Sequence, residues 1–306
     1  IGSNTVDYFL KKGHQVFGID NFSTGREQFL NKALRNDKFK FLKADLSQKE
    51  EYENLFDDID LVIHLAANAD VRDGLKHPTK DIKENLLNTS NVLEVMRSRS
   101  IKNIIFSSTG SVYGEAKQIP TTELCPFPIQ TSLYGASKLA SEGIISSYCE
   151  GYNFNAVSLR FVSLMGPRYT HGHVFDFVSN LIMDSKKLTI LGDGMQDKSY
   201  FHVFDCVKAI NHFANLLGKN LVGYHAINLG TNESIKVKDS ARLICKTLDL
   251  DPEFFFTGGR QGWIGDNPVI KLDISKAMKL GWEPKYTIQE SIVETTKWVY
   301  SYLLKE

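Results

Sequence analysis

The sequence predicts an α/β protein, with a doubly wound parallel sheet followed by a smaller, mixed α/β domain. Strand-like and helix-like segments alternate through the first half of the 306-residue chain, which is typical of a parallel sheet covered by helices on both faces. The run Leu61–Leu65 is continuously apolar, as expected of a strand buried on both faces. After Gly166-Pro167-Arg168 the pattern becomes irregular. We therefore predict one domain over residues 1–165 and a second over 166–306, with a segment at about 200–230 returning to the main sheet.

The individual elements follow from apolar periodicity and from the residues that end helices. Gly13 is the expected stop of the first helix because glycine readily adopts the conformation in which helices end. A proline-rich loop precedes the helix that begins at Tyr134. The predicted helices are 4–12, 79–98, 134–148, 174–184, 237–248 and 288–303, and the predicted strands are 15–19, 39–43, 61–65, 103–107, 156–161 and 225–229.

Composition excludes several classes of function. Lysine plus arginine and aspartate plus glutamate number 36 each, so the formal net charge is zero and general attraction to nucleic acid or anionic membranes is not expected. No apolar run approaches the roughly 20 residues that span a bilayer. The four cysteines are scattered without metal spacing, which suits a cytoplasmic protein. His171 and His173 read as polar loop residues, because no further ligands are spaced to complete a metal site.

The most informative motif pairs Tyr134 with Lys138, four residues later. In a helix these positions share one face, and a nearby ammonium favours a phenolate over a phenol. The sequence therefore predicts a lowered pKa for Tyr134, which would make it a proton acceptor near neutral pH. Thr109 ends a predicted strand, where its hydroxyl could hold a substrate oxygen against Tyr134.

The same spacing occurs twice more, and context separates the three pairs. Tyr8 and Lys12 lie in the first helix, where a half-buried tyrosine and a solvated lysine are the ordinary case. Tyr113 and Lys117 lie in a glycine-flanked loop, which imposes no fixed geometry on the pair. Tyr134 alone begins a long helix.

A group of polar residues is expected at the carboxyl ends of the strands, where open α/β sheets bind ligands. The group comprises Asp20, Asn21, Asp45, Ser107 and the segment Ala66-Ala67-Asn68. Asp20 lies eighteen residues after Gly2, close to the usual spacing between a glycine turn and the acid that binds an adenosine ribose; a turn cap is the alternative. Because a dinucleotide fold starts with a strand and a glycine-rich turn, we expect about ten residues to precede Ile1, with Gly2 as the last glycine of that turn.

These motifs, in this order and spacing, resemble the extended short-chain dehydrogenase/reductase family, in its UDP-glucose 4-epimerase-like group of nucleotide-sugar epimerases and dehydratases. The resemblance covers nearly the whole chain and implies a Rossmann-type first domain and a nucleotide-sugar-binding second domain. It is carried by Ile1-Gly2-Ser3, Asp20–Gly25, Asp45-Leu46, His64–Ala67, Asn85, Ser107–Thr109, Val112–Gly114, Tyr134–Lys138, Leu159–Phe161, Gly166–Arg168, Gly192–Gly194, Val203, Asp205, Gly281-Trp282 and Pro284.

The resemblance also implies roles. Asp20 and Asn21 would hold the ribose and favour NAD, Asp45 and Leu46 would contact adenine, and Ala66, Ala67 and Ser107 would line the cofactor cleft. Thr109 would bind the sugar hydroxyl, Tyr134 would be the base, and Lys138 would bind the nicotinamide ribose. Ser108 would support the substrate site, and Ser163, Lys198, Arg260 and Asp266 would contact the sugar diphosphate.

Three departures from the family pattern qualify these roles. Gly110-Ser111 follow Thr109 where 4,6-dehydratases carry Asp-Glu, so elimination lacks an acid–base pair. Ser163 replaces a frequent asparagine. Lys198 replaces a frequent arginine and offers a phosphate no bidentate fork.

The resulting prediction is an NAD-dependent nucleotide-sugar epimerase that inverts C4 through a 4-keto intermediate and needs no metal. A nucleotide-sugar dehydrogenase/reductase or 4,6-dehydratase and a non-catalytic NAD-binding sensor are the alternatives. The resemblance implies a homodimer formed through the two long helices.

Overall fold

The computed structural model describes residues 1–305 except 69, 72, 127–128 and 263–268. Its contacts divide the chain into two compact units. Unit 1 comprises Ile1–Gly114, Pro128–Arg160 and Val207–Ile227, and unit 2 comprises Glu115–Phe127, Phe161–Cys206 and Asn228–Glu306. A single cut near residue 165 therefore does not describe the two units, because the chain crosses between them several times.

Helices and parallel strands alternate through the first half of the chain. The elements, in chain order, are α1 (Gly2–Lys11), β1 (Val16–Asp20), β2 (Phe39–Lys43), α2 (Lys49–Tyr52), β3 (Val62–His64), α3 (Asp73–Lys76), α4 (Pro78–Asp81), α5 (Asn88–Ser98), β4 (Asn103–Thr109), α6 (Leu133–Tyr152) and β5 (Asn155–Phe161), with 3-10 turns at Glu27–Leu30, Ala33–Arg35, Glu53–Phe56 and Gly110–Tyr113.

The strands form two hydrogen-bonded sets. β1 pairs in parallel with β2, Val16 lying opposite Phe39. β3 pairs in parallel with β4, Val62 lying opposite Ile104, within a four-stranded sheet of order β10-β5-β4-β3 in which β10 is Tyr224–Leu229. Of the segment at about 200–230 that was expected to return to the main sheet, Tyr224–Leu229 lies beside β5, whereas Tyr200–His202 pairs with Ser163–Met165 in a separate sheet.

The predicted helix 79–98 is interrupted. A π-helical segment, Ile82–Leu87, joins α4 to α5. Asn85 lies in this segment with its side chain fully buried and hydrogen-bonded to Ser137 of α6. A wider turn of this kind often marks a functional position, and here it accommodates a polar contact between helices.

The core of unit 1 lies between the four-stranded sheet and its helices. β4 is buried over five consecutive residues, as expected of a strand covered on both faces. From α5, Val92, Leu93, Val95 and Met96 pack at helical spacing against Phe106 and other residues of that core. This packing fixes the carboxyl end of β4, where Thr109 lies.

The remainder of the chain forms helices and three small sheets. The elements are β6 (Ser163–Met165), α7 (His173–Met183), β7 (Lys187–Ile190), β8 (Asp197–Lys198), β9 (Tyr200–His202), α8 (Val203–Leu216), β10, β11 (Ile235–Lys236), α9 (Val237–Thr247), β12 (Glu253–Phe256), β13 (Val269–Ile270), α10 (Ser275–Lys279) and α11 (Ile288–Leu303). The sheets have the orders β11-β8-β13, β12-β7 and β6-β9. The core of unit 2 is built mainly by α7, α9 and α11.

None of the helices that the structure describes is both long enough and apolar enough to cross a membrane.

Candidate active site

The start of α6 positions Tyr134. Ser132 precedes the helix, and its hydroxyl accepts a hydrogen bond from the backbone N–H of Gly135 at 3.0 Å. Such a cap satisfies an N–H group that would otherwise lack a partner in the first turn. Tyr134 is thereby held in the first turn of α6, partly buried.

The hydroxyl of Thr109 meets this phenol. Thr109 ends β4, and its Oγ1 accepts a hydrogen bond from the backbone N–H of Ser111 at 3.1 Å. Its side chain also interacts with the phenol of Tyr134, and this interaction lowers the pKa of the phenol. The structure therefore brings together two of the three predicted catalytic residues.

Lys138 lies one helical turn after Tyr134 and is almost completely buried. Its Nζ donates to the backbone carbonyl of Ser107 at 2.8 Å and lies 4.6 Å from the centre of the Phe106 ring. Burial lowers the pKa of Lys138 to about 7, although the carboxylates of Glu142 and Asp81 act in the opposite direction. The lysine is thus close to its titration point at neutral pH.

The predicted lowering of the Tyr134 pKa is wrong for the chain by itself. Burial raises the pKa of Tyr134 to about 12, and the negative charge of Asp81 adds to the increase, whereas the interaction with Thr109 opposes it. The reason is that burial disfavours the charged phenolate, and this effect on the pKa is larger than the opposite effect of Thr109.

A buried acid near the catalytic pair was not singled out by sequence reasoning. Asp81 of α4 is fully buried, and its Oδ1 accepts from the side-chain amides of Asn68 at 2.9 Å and Asn85 at 3.3 Å. Asn85 also donates to Ser137 Oγ, which in turn donates to the carbonyl oxygen of Tyr134. The sequence contained one indication of this contact. Asp81 and Asn85 are four residues apart, a spacing that places both side chains on one helical face.

Ser108, predicted to serve the substrate site, is engaged elsewhere. It is 3% exposed, and its hydroxyl donates to Glu142 Oε1. Since this hydroxyl donates to a buried carboxylate, we expect Ser108 to stabilise the position of Glu142 and not to contact substrate.

The residues predicted to bind adenosine meet at the ends of β1 and β2. Asn21 Nδ2 donates to Asp45 Oδ2 at 2.8 Å. Asp20 is exposed, and its Oδ1 accepts from the backbone N–H of Phe22 at 2.7 Å, so it also caps a turn. Hydrogen bonds from Ser47 are the largest cause of a lowered Asp45 pKa, and the Asn21 amide contributes. The carbonyl of Leu46 accepts from Tyr52 and Asn91, which anchors the segment after β2.

The remaining cofactor candidates follow β3 and β4 or begin α1. Ala66 is exposed and Ala67 partly buried just after β3. The hydroxyl of Ser107 donates to the carbonyl of His64 at 3.2 Å, joining the ends of β4 and β3. Gly2 is the exposed first residue of α1. An exposed carboxylate at Asp20 can accept hydrogen bonds from ribose hydroxyls, and small side chains at Ala66 and Ala67 leave room beside β3, so these donors and acceptors fit a dinucleotide.

The remaining substrate candidates lie in unit 2. Ser163 is the exposed first residue of β6, and Lys198 is a partly buried residue of β8. Arg260 is exposed, lies 4.0 Å from Glu115, and lines an open cavity of about 480 Å³ with Gly259 and Gln261. Asp266 lies outside the described residues. Binding of substrate by these residues remains a prediction.

His202 and His173 pack within unit 2, whereas His171 is exposed. The ring of His202 stacks on Tyr286 at 4.0 Å, and its Nε2 lies 3.2 Å from Glu294 Oε2. His173 Nε2 lies 2.9 Å from Ser240 Oγ. Within the described part of the chain, no group of three or more His, Cys, Asp or Glu side chains is arranged to hold a metal ion.

Comparison with known proteins supplies the family context. Residues 1–230 match the model of the NAD dependent epimerase/dehydratase family. A putative UDP-glucose 4-epimerase of Methanocaldococcus jannaschii is 32% identical over 306 residues, which covers 98% of this chain and 95% of that protein.

Solved structures agree with this match. A UDP-glucuronic acid 4-epimerase of Bacillus cereus, in complex with UDP-glucuronic acid and NAD, superposes with a TM-score of 0.90 at 28% identity, covering 99% of this chain and 96% of that one. A Thermotoga maritima UDP-glucose 4-epimerase with UDP-glucose gives a TM-score of 0.88 at 28% identity, with the same coverage. The prediction of a Rossmann-type α/β fold is confirmed.

Proposed function

Because this chain belongs to the NAD dependent epimerase/dehydratase family, we propose that it inverts C4 of a nucleotide-diphosphate sugar, with a UDP-sugar as the substrate. The observation that carries this proposal is the position of Thr109 at the end of β4, where its side chain interacts with Tyr134, one helical turn from the buried Lys138. Relatives named as 4-epimerases of UDP-glucose and UDP-glucuronate support the choice of substrate class.

NAD is the cofactor of this family, and Asp20, Asn21, Asp45 and the segment after β3 are the residues proposed to hold it. When bound, it would supply hydride uptake and return at C4 and, in its oxidised form, a positive charge that favours a phenolate. In the chain by itself the phenol of Tyr134 has a pKa of about 12, so the positive charge of a bound cofactor would favour proton removal near neutral pH.

The protein's own contribution is placement and proton transfer. In the proposed reaction Tyr134 removes the proton from the C4 hydroxyl, and Thr109 orients that hydroxyl. Lys138, as an ammonium ion, stabilises the phenolate that removes it. When the sugar presents its other face, the same phenol returns the proton. No net oxidation would occur, because the hydride taken up by the bound cofactor would also return to C4.

Gly110 and Ser111 argue against the 4,6-dehydratase alternative. Elimination of water needs an acid and a base beside the leaving hydroxyl, and neither side chain carries a carboxyl group. Ser111 instead contacts Thr109, with its Oγ 3.2 Å from Thr109 Oγ1.

We also propose a cytoplasmic homodimer formed through the helices of unit 1. The segment leading into α5 exposes two large apolar side chains, Ile82 at 46% and Leu87 at 51%. The chain's cysteines, described as free thiols, suit a reducing compartment. Size-exclusion chromatography with light scattering measures the oligomeric state directly, and a monomer at micromolar concentration would contradict the dimer.

A panel of nucleotide sugars tests the reaction. The purified protein is incubated with UDP-glucose, UDP-glucuronate, UDP-N-acetylglucosamine and the matching TDP-glucose and GDP-mannose, and the products are identified by NMR. We expect the C4 epimer of a UDP-sugar with no net NADH. Accumulation of NADH would indicate a dehydrogenase, a 4-keto-6-deoxy product would indicate a dehydratase, and bound NAD without any turnover would indicate a sensor.

A further inference from the structure

A buried ion pair lies on the helical face that carries Tyr134 and Lys138. Glu142 follows Lys138 by four residues on α6 and is 3% exposed. Arg160 of β5 places its Nη2 2.6 Å from Glu142 Oε2 and its Nε 3.0 Å from Oε1. Two such hydrogen bonds hold a guanidinium and a carboxylate in one fixed geometry.

Hydroxyl groups from three other segments complete this pair. Ser108 of β4 and Tyr224 of β10 donate to the Glu142 carboxylate, Tyr224 at 2.9 Å. Arg160 Nη1 donates to the phenolic oxygen of Tyr113 at 2.7 Å. Both carboxylate oxygens of Glu142 therefore accept hydrogen bonds, which hold the side chain in one position beside the four-stranded sheet.

The energetic cost of this arrangement suggests a use for it. Burying two charges carries a desolvation penalty that their attraction often fails to recover, and apolar side chains would fill the same space without that penalty. What apolar residues could not supply is a negative charge one turn from Lys138, whose burial works against its charged form.

We propose that Glu142 is a positioning residue for the epimerase reaction: held in place by Arg160, it keeps Lys138 as an ammonium ion beside Tyr134. The inference rests on the proposed role of Lys138 in that reaction. Glu142 acts through Lys138 and is not itself expected to touch substrate.

The other groups that face Lys138 do not replace this charge. Asp81 of α4 also favours the ammonium form, but it is shared with the amides of Asn68 and Asn85. His64 of β3 has its pKa lowered to about 3, chiefly by burial, so it is neutral at physiological pH. Tyr134, from α6 itself, is a neutral phenol until the reaction begins.

The test compares Glu142→Gln with Tyr224→Phe. Both variants remove one partner from the same network, but only Glu142→Gln removes the charge. The free energy of unfolding is measured by urea denaturation from pH 5.5 to 10, and the inflection that disappears in Lys138→Met is assigned to Lys138. We expect Glu142→Gln to move this inflection to lower pH by on the order of one unit, whereas Tyr224→Phe loses stability without moving it.

The alkaline limb of kcat with a UDP-sugar should shift in the same direction. If Glu142→Gln fails to fold because Arg160 is left unpaired, the double variant Glu142→Gln/Arg160→Gln removes both charges. It should shift the inflection in the same direction by a smaller amount, because the opposing charge of Arg160 is lost as well. An inflection that stays at the wild-type pH in the charge-removing variant overturns the inference, even with full epimerase activity. A shifted inflection in a protein with no epimerase activity would instead support the Glu142–Lys138 relationship and refute the proposed function.

Discussion

The ammonium group of Lys138 donates a hydrogen bond of 2.8 Å to the backbone carbonyl oxygen of Ser107. This contact joins the helix that carries the proposed base to the strand that ends in Thr109. Lys138 is buried between this helix and this strand, with only 1% of its surface exposed. Its protonation is therefore set by its protein neighbours and not by bulk water.

Replacing Tyr134 by phenylalanine should lower kcat by about 10²–10⁴-fold, the usual contribution of a general base, while bound NAD is retained. Initial rates with the preferred UDP-sugar and NAD released on denaturation measure the two quantities. Tyr8→Phe is the matched control, because Tyr8 has Lys12 at the same spacing, with Nζ 5.8 Å from the ring centre. Equal kcat values for the two variants would remove Tyr134 from the mechanism.

Thr109→Val should lower kcat by roughly 10–100-fold, because a hydrogen bond to a charged group contributes about 1.5–3 kcal/mol. The Thr109 hydroxyl lowers the pKa of Tyr134, so its loss should also move the acid limb of the pH–rate profile to higher pH. Thr109→Ser restores the hydroxyl and should recover most of the activity. A serine variant as slow as the valine variant would point to packing as the cause.

Lys138→Met should remove a pH dependence of stability. The folded-state pKa of Lys138 is about 7, below its ordinary value of 10.5. Between these values the unfolded chain binds a proton that the folded chain has released, so the free energy of unfolding rises with pH by about 1.4 kcal/mol for each unit of pKa lowering. Urea denaturation should show this rise in the wild-type protein and not in the variant. An identical pH dependence in both proteins would mean that Lys138 titrates normally.

Ser108→Ala tests the reassignment of this residue. The variant loses a hydrogen bond to the buried Glu142 carboxylate, which should reduce the free energy of unfolding by about 1–3 kcal/mol. The KM for the UDP-sugar should stay within about twofold of wild type. A large increase in KM with unchanged stability would return Ser108 to the substrate site.

Gly135→Ala and Gly143→Ala place the same methyl group at two positions of α6, with opposite expected results. A Cβ at Gly135 would lie 2.7 Å from the carbonyl oxygen of Ser111, whereas one at Gly143 meets no atom within 4 Å. We expect Gly135→Ala to lose stability and activity, because the segment behind Thr109 must move. Gly143→Ala should raise the free energy of unfolding by about 0.5–1 kcal/mol, the helix preference of alanine over glycine. Thermal denaturation compares the two.

The sequence by itself determined the fold class and the most specific pair of site residues. Alternating elements and the apolar character of strands predict a parallel sheet wherever they occur, because they reflect local periodicity and burial. The spacing of Tyr134 and Lys138 predicts a shared helical face for the same reason. The family, its cofactor and its epimerase chemistry follow from motifs whose order along the chain is readable without coordinates.

Only the tertiary structure decided the electrostatics of the site. The pKa of Tyr134 is raised and that of Lys138 is lowered because both are taken out of water, and burial is a property of the packed chain. Glu142 lies four residues after Lys138 on the same helix, so the sequence already places it near the lysine. Asp81, which also acts on Lys138, comes from a different helix, 57 residues earlier in the sequence. No local pattern reveals that the fold will bring this distant charge to the same ammonium group.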